Sequence, residues 1–157
     1  MLQDERFMAE AIALAAANAR EGRGGPFGAL VVRAGQVVGR GVNRVVSSHD
    51  PTAHAEMVAI REACQTLGSF QLAGCEIFAS CEPCPMCLAA IYWARLDRLC
   101  FAATQDDAAR AGFDDSFLYA EIARPPAARR LASVRLLADQ APGPFEEWAR
   151  APSKVPY

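Results

Sequence analysis

Two short runs carry residue types that can do chemistry, His54-Ala55-Glu56 and Pro83-Cys84-Pro85-Met86-Cys87. Two cysteines separated by two residues at a helix start turn toward the same point. The free amides and dipole of that helix end favour thiolate over thiol. One nitrogen from His54 and two sulfurs from Cys84 and Cys87 make a soft donor set that suits Zn²⁺, one ion per chain. A structural zinc site ordinarily closes with a fourth side chain, so three protein ligands leave a position for water and point to catalysis. Zinc lowers the pKa of its bound water toward roughly 7. Glu56, two residues from His54 at the same helix start, can take that proton and hand it on without ligating the metal, a role worth about 10²–10⁴-fold in rate.

The remaining cysteines and the other histidine have plainer readings. Six cysteines would suit a secreted disulfide framework, but Cys81, Cys84 and Cys87 sit too close together for mutual pairing. The opening residues MLQDERFMAE lack the basic start and apolar stretch of a signal peptide, so metal binding in a reducing cytoplasm is expected. Cys81, Cys84 and Cys87 form C-x2-C-x2-C, yet an iron–sulfur run would need Cys then Pro where Ile91 and Tyr92 stand. Cys81 is therefore either a thiol beside the site or the fourth ligand of an ion that only holds the fold. Cys64, Cys75 and Cys100 read as buried free thiols, and His49 has no assigned role. The glycines from Gly22 to Gly28 are not followed by the Gly-Lys-Ser/Thr of a phosphate loop.

A chain of 157 residues, 52% hydrophobic and 22% charged, suits one globular domain over residues 1–157. Sixteen basic residues against eighteen acidic ones leave a net charge of −2, which argues against a nucleic-acid partner of the usual basic kind. No apolar run is long enough to span a bilayer, so no membrane partner is expected.

The elements that must position these residues follow from pattern. Residues 4–20 read as a helix burying Phe7, Met8, Ile12 and Leu14, with Gly22 as its stop. Residues 29–33 and 36–42 read as a hairpin around Ala34-Gly35. A second helix covers about residues 53–67, with Thr52 as a possible cap. Strand 76–80 leads into a helix from Pro85 to about Arg95, and residues 98–102 form another strand. A loop-rich stretch runs to Phe117, then a short helix to about Ile122. Residues 133–137 suit a fifth strand, and Phe145 to Arg150 a last helix before an extended tail. Strands alternating with helices after a hairpin predict an α/β fold, a three-layer α-β-α sandwich around a mixed five-stranded sheet.

The H-x-E and P-C-x-x-C spacing is that of zinc-dependent nucleobase deaminases. With Pro26-Phe27-Gly28-Ala29 added, the chain resembles the cytidine deaminase superfamily. More narrowly, GGPFGA from Gly24, DPTAHAE from Asp50, SCEPCPMC from Ser80, AIYWAR from Ala90 and AGFDDSF from Ala111 resemble the small bacterial guanine deaminases. The likeness covers nearly the whole chain, including Trp148 and Tyr157, and is weakest between Arg124 and Phe145. It implies that His54, Cys84 and Cys87 hold zinc and that Glu56 shuttles protons in the hydrolysis of guanine to xanthine and ammonia. It further implies that Asn43 hydrogen-bonds the purine, Phe27 lies against its face and Asp115 accepts from the guanine edge. A homodimer that exchanges the C-terminal segment, residues 142–157, is implied too, with Tyr157 closing the partner's site.

The chemistry of guanine supports the carboxylate independently. N1–H and the 2-amino group are adjacent donors, and an ionised Asp is acceptor-only. Adenine and cytosine put a ring lone pair beside the amino group, and such polar mismatch can be rejected by roughly 10⁴-fold. The plainer alternatives are a helix cap for Asp115, a turn residue for Asn43 and core packing for Phe27. At the level of activity, the siblings are a tRNA adenosine deaminase, which needs a basic RNA-binding face, and a guanosine deaminase, which needs open space for a ribose.

Overall fold

The computed structural model describes residues 2–157. The chain separates into two compact units, one ending at Asp115 and the other running from Ser116 to Tyr157.

The first unit is built on a four-stranded mixed sheet. Its strands are β1 (Gly28–Arg33), β2 (Gln36–Val42), β3 (Cys75–Cys81) and β4 (Arg98–Ala103), in the order β2-β1-β3-β4. β1 runs antiparallel to both neighbours, and β3 runs parallel to β4. The β1–β2 turn is the Ala34-Gly35 pair, at φ 48° and φ 77°. Two consecutive left-handed residues match the right-handed twist of the strands they join. Among the described residues a fifth strand does not form. Residues 133–137 make no ladder, Leu137 is left-handed at φ 51°, and Leu131, Val134 and Leu136 are exposed. An apolar segment becomes a strand only where a sheet edge accepts its backbone groups, and pattern alone cannot supply that edge.

Alternate residues of the strands face opposite layers, as the two-residue period requires. Leu30, Val32 and Phe78 pack with Phe7 and Ala11 of α1 (Gln3–Arg20) on one side. Ala29, Val31 and Ile77 pack on the other side with Ala55, Ala59, Ile60 and Ala63 of α3 (Ala55–Leu67) and Ile91 of α4 (Pro85–Trp93). The three-layer arrangement expected from sequence is therefore present. The buried stripe of α1 differs from expectation: it is Phe7, Ala11, Ala15 and Asn18, with Ile12 exposed and Met8 and Leu14 at its margin. Small residues win that face because the backbones approach closely. A Cβ on Gly28 would meet the Ala11 carbonyl oxygen at 2.4 Å.

The same tight approach recurs where it bears on chemistry. A Cβ on Gly41 of β2 would lie 1.9 Å from the carbonyl oxygen of Ala55, the first residue of α3. Two short helices lie beyond the expected pattern, α2 (Val45–Ser48) and α5 (Gln105–Arg110), the latter held by a Thr104–Asp107 capping box. No described helix is long and apolar enough to cross a membrane.

The second unit contains α6 (Ser116–Ile122), a 3₁₀ turn (Pro126–Ala128) and α7 (Gly143–Arg150). None of its residues is buried.

Gly41→Ala should destabilise the protein by at least about 2 kcal/mol, since the added methyl must push α3 off the sheet. A lower thermal midpoint, with weaker zinc retention because His54 moves with α3, is the expected result.

Candidate active site

Because β1 opposes the other three strands, the C-terminal ends of β2, β3 and β4 share one edge of the sheet with the start of β1. Phe27 precedes β1, Asn43 follows β2, and the Cys84 run follows β3. α5 follows β4. Strand carboxyl ends are where such sheets ordinarily hold ligands.

Two helices begin at this edge, and their N-cap positions carry His54 and Cys84. Both residues are extended, at φ −67° and φ −63°, and neither side chain caps its own helix. The N-cap expected at Thr52 lies instead at His54. Thr52 turns back to Asp50, whose Oδ1 accepts from its amide at 2.8 Å and its hydroxyl at 2.7 Å. Relieved of capping, the imidazole and the thiol meet, His54 Nδ1 lying 3.6 Å from Cys84 Sγ. The ligand atoms of His54, Cys84 and Cys87 all lie within 4.8 Å of one another. Tetrahedral zinc at Zn–N and Zn–S distances of about 2.1 Å and about 2.3 Å would separate nitrogen from sulfur by about 3.6 Å. The donor set fits the ion in type, number and spacing.

Electrostatics point the same way. A hydrogen bond from Cys87, then one from His54, brings the Cys84 thiol down to about 4, and the same sharing pushes Cys87 up. The Cys84 contact also raises His54. A pair of sulfurs dividing one proton is what a divalent cation replaces when it ionises both. Glu56 is buried in the first turn of α3, beside the Cys87 sulfur. Burial is the main force raising its carboxyl.

Cys81 stands apart from the three ligands. Its thiol donates to the Thr104 carbonyl oxygen at 3.7 Å. Burial, helped by Glu56 and Asp115, pushes it up to about 11, so it stays a neutral thiol. All six cysteines are free. His49 ends α2 in a left-handed conformation and is exposed.

The remaining expected residues fall into two groups. Asn43 is buried, its Oδ1 accepting from the amides of Gly25 at 3.4 Å and Val45 at 3.3 Å. Two N–H donors fix which end is oxygen, so Nδ2 is the donor Asn43 can offer a ligand. Phe27 packs against the core and meets Phe113 edge-on, ring centroids 5.0 Å apart. Asp115 is half-buried, and its Oδ1 accepts from Gln105 Nε2 at 2.6 Å. Tyr157, by contrast, lies in the second unit and is 73% exposed.

Three contributors escaped the sequence pattern. Asn18, wholly buried, donates from Nδ2 to the carbonyl oxygens of Gly25 and Asn43, both at 2.9 Å, and ties the glycine loop to the end of β2. Its signal was a lone amide at the end of the Phe7-Ala11-Ala15 stripe. Ser80 Oγ accepts from the Gly28 amide at 3.0 Å and fixes the start of β1. Phe113, inside AGFDDSF, is the third, through its ring contact with Phe27.

Residues 1–103 match the family model of the cytidine and deoxycytidylate deaminase zinc-binding region. The chain is 46% identical over 156 residues to the guanine deaminase of Bacillus subtilis (strain 168), covering 99% of this chain and 100% of that one. The crystal structure of that organism's guanine deaminase superposes with a TM-score of 0.95 at 47% identity, covering 98% of each chain. A structure of guanine deaminase from Nitrosomonas europaea gives a TM-score of 0.66 at 36% identity, over 69% of this chain and 63% of that chain. A tRNA-specific adenosine deaminase of Aquifex aeolicus is 44% identical over 78 residues, 50% of this chain and 52% of that one.

Metal analysis of purified protein should find about one zinc per chain, retained in Cys81→Ser and lost in Cys87→Ser. Loss of the ion in Cys81→Ser alone would make Cys81 a ligand.

Proposed function

The chain belongs to the cytidine and deoxycytidylate deaminase family, and we propose that its reaction is the hydrolytic deamination of free guanine to xanthine and ammonia. The observation that carries this reading is the extent of the likeness. The match to the B. subtilis guanine deaminase runs over essentially the whole chain, while the tRNA-specific deaminase matches half of it. A net charge of −2 also gives the chain no overall attraction to an RNA stem.

His54, Cys84 and Cys87 would hold Zn²⁺, which when bound supplies a water acidified toward about neutral pH. Glu56 takes the first proton of the attacking water and gives it to ring N3 as oxygen joins C2. The C2–N bond then breaks. The second water proton leaves with the amine as ammonia, and the oxygen remains as the C2 carbonyl of xanthine. Burial, which raises the Glu56 carboxyl, suits it to hold a proton between these transfers.

The base is oriented by residues around that centre. Asp115 accepts from N1–H and the 2-amino group, and Asn43 Nδ2 donates to an acceptor on the ring. Phe27, braced by Phe113, lies against the ring face. Tyr157 closes the site of a second subunit, in a homodimer that exchanges residues 142–157. Support for the exchange comes from the second unit, whose Leu131, Val134, Leu136, Phe145 and Tyr157 are each more than 70% exposed. Apolar surface on that scale ordinarily meets a partner. The cytoplasm, where six thiols stay reduced, is the compartment this chemistry suits.

Glu56→Gln should lower xanthine formation by at least about 10²-fold while zinc stays near one per chain; undiminished turnover would remove Glu56 from the proton path. Deleting residues 152–157 should reduce guanine turnover much more than zinc content. Equal turnover in the shortened chain would take Tyr157 out of the site.

A further inference from the structure

Asp115 sits on the loop that follows α5 and Gly112, and a carboxylate on a loop can rotate away from a ligand unless something holds it. The group that holds it is Gln105, whose Nε2 donates to Asp115 Oδ1 at 2.6 Å. We infer that Gln105 is a positioning residue that sets guanine recognition by fixing the Asp115 carboxylate, an inference that rests on Asp115 reading the guanine edge.

Gln105 is itself anchored from two directions. Its backbone N–H donates to Glu82 Oε2 at 3.1 Å, and Glu82 lies between Cys81 and Pro83 on the approach to the Cys84 ligand. The Glu82 amide in turn donates to the Ala103 carbonyl oxygen at 2.9 Å, extending the β3–β4 pairing past the ends of the strands. Ahead of Gln105, Thr104 and Asp107 form a reciprocal cap: the Thr104 amide donates to Asp107 Oδ2 at 2.8 Å, and the Asp107 amide donates to Thr104 Oγ1 at 3.3 Å. The backbone that carries the glutamine is therefore tied to the same stretch that carries Cys84. Through it, the base-reading carboxylate keeps a set place relative to the metal ligands.

The residue type matters as much as the place. A carboxylate offers about four lone-pair sites, and a single amide donor takes one of them. An arginine there would occupy both oxygens through its planar fork and compete with the ligand. Glutamine is neutral, so it orients Asp115 while leaving both oxygens able to accept from the adjacent N1–H and 2-amino donors. A donor to an ionised acceptor is also among the stronger hydrogen bonds available to a half-buried side chain.

The test is a double-mutant cycle on the zinc-loaded enzyme with Gln105→Met, which keeps the length and removes the donor, Asp115→Asn, and the combined variant. Gln105→Met should lower kcat/KM for guanine by about tenfold or more with zinc content unchanged. It should leave the inhibition constant of 2-aminopurine, which has no N1–H, within about twofold of the parent enzyme's, and it should add no further loss in the Asp115→Asn background. Gln105→Ala should behave the same way. Losses that multiply in the combined variant, or equal weakening of guanine and 2-aminopurine, would overturn the inference and leave Gln105 as a helix-start residue. If Asp115→Asn alone leaves guanine turnover intact, the reading of Asp115 fails, and this inference with it.

Discussion

The 3.6 Å approach of His54 Nδ1 to Cys84 Sγ joins the starts of two helices that are otherwise separate in sequence by thirty positions. Each residue occupies an N-cap, where a side chain ordinarily satisfies its own helix amides, and each does something else with its polar atoms. Those unsatisfied helix ends put positive potential where thiolates gather. A buried glutamate, two sulfurs and an imidazole in one small volume form a cluster of competing protons. A dication is the simplest way to settle that competition, because it favours the ionised form of every sulfur it binds.

That convergence depends on strand direction. A hairpin followed by a parallel pair brings three strand ends and one strand start to the same edge. Tight backbone contacts then fix the helices. Gly28 lets α1 lie on β1, and Gly41 does the same for α3 on β2 just behind Ala55. Asn18 and Ser80 finish the edge by satisfying backbone groups of the glycine loop. A metal site needs ligand positions accurate to a few tenths of an ångström, and packed backbone supplies that better than mobile side chains.

The residues around the metal ligands differ in how firmly they are held. Asn43 is bound to backbone at its oxygen and is held nearly as firmly as the metal ligands. Asp115 and Phe113 lie on a loop and hold position through one hydrogen bond and one ring contact. A rigid scaffold with variable loops is the usual way one fold comes to serve different functions. The second unit differs again. It has three helical pieces and no buried residue, which contrasts with the two apolar layers of the first unit.

Residue types and short spacings determined the metal-ligand set, the hairpin and the alternation of helix and strand, because these depend on neighbours within a few positions. His54 with Glu56, and Cys84 with Cys87, were legible for that reason, as was Ala34-Gly35. What only the tertiary structure decided are contacts between distant parts of the chain. The α1 stripe went to alanines because close backbone approach outweighs side-chain bulk there. The segment at 133–137 makes no ladder, since an apolar pattern does not by itself pair a strand's backbone groups. Asn18, Ser80 and Gln105 find their hydrogen-bond partners seven to fifty-two positions away, and no local pattern records such partners.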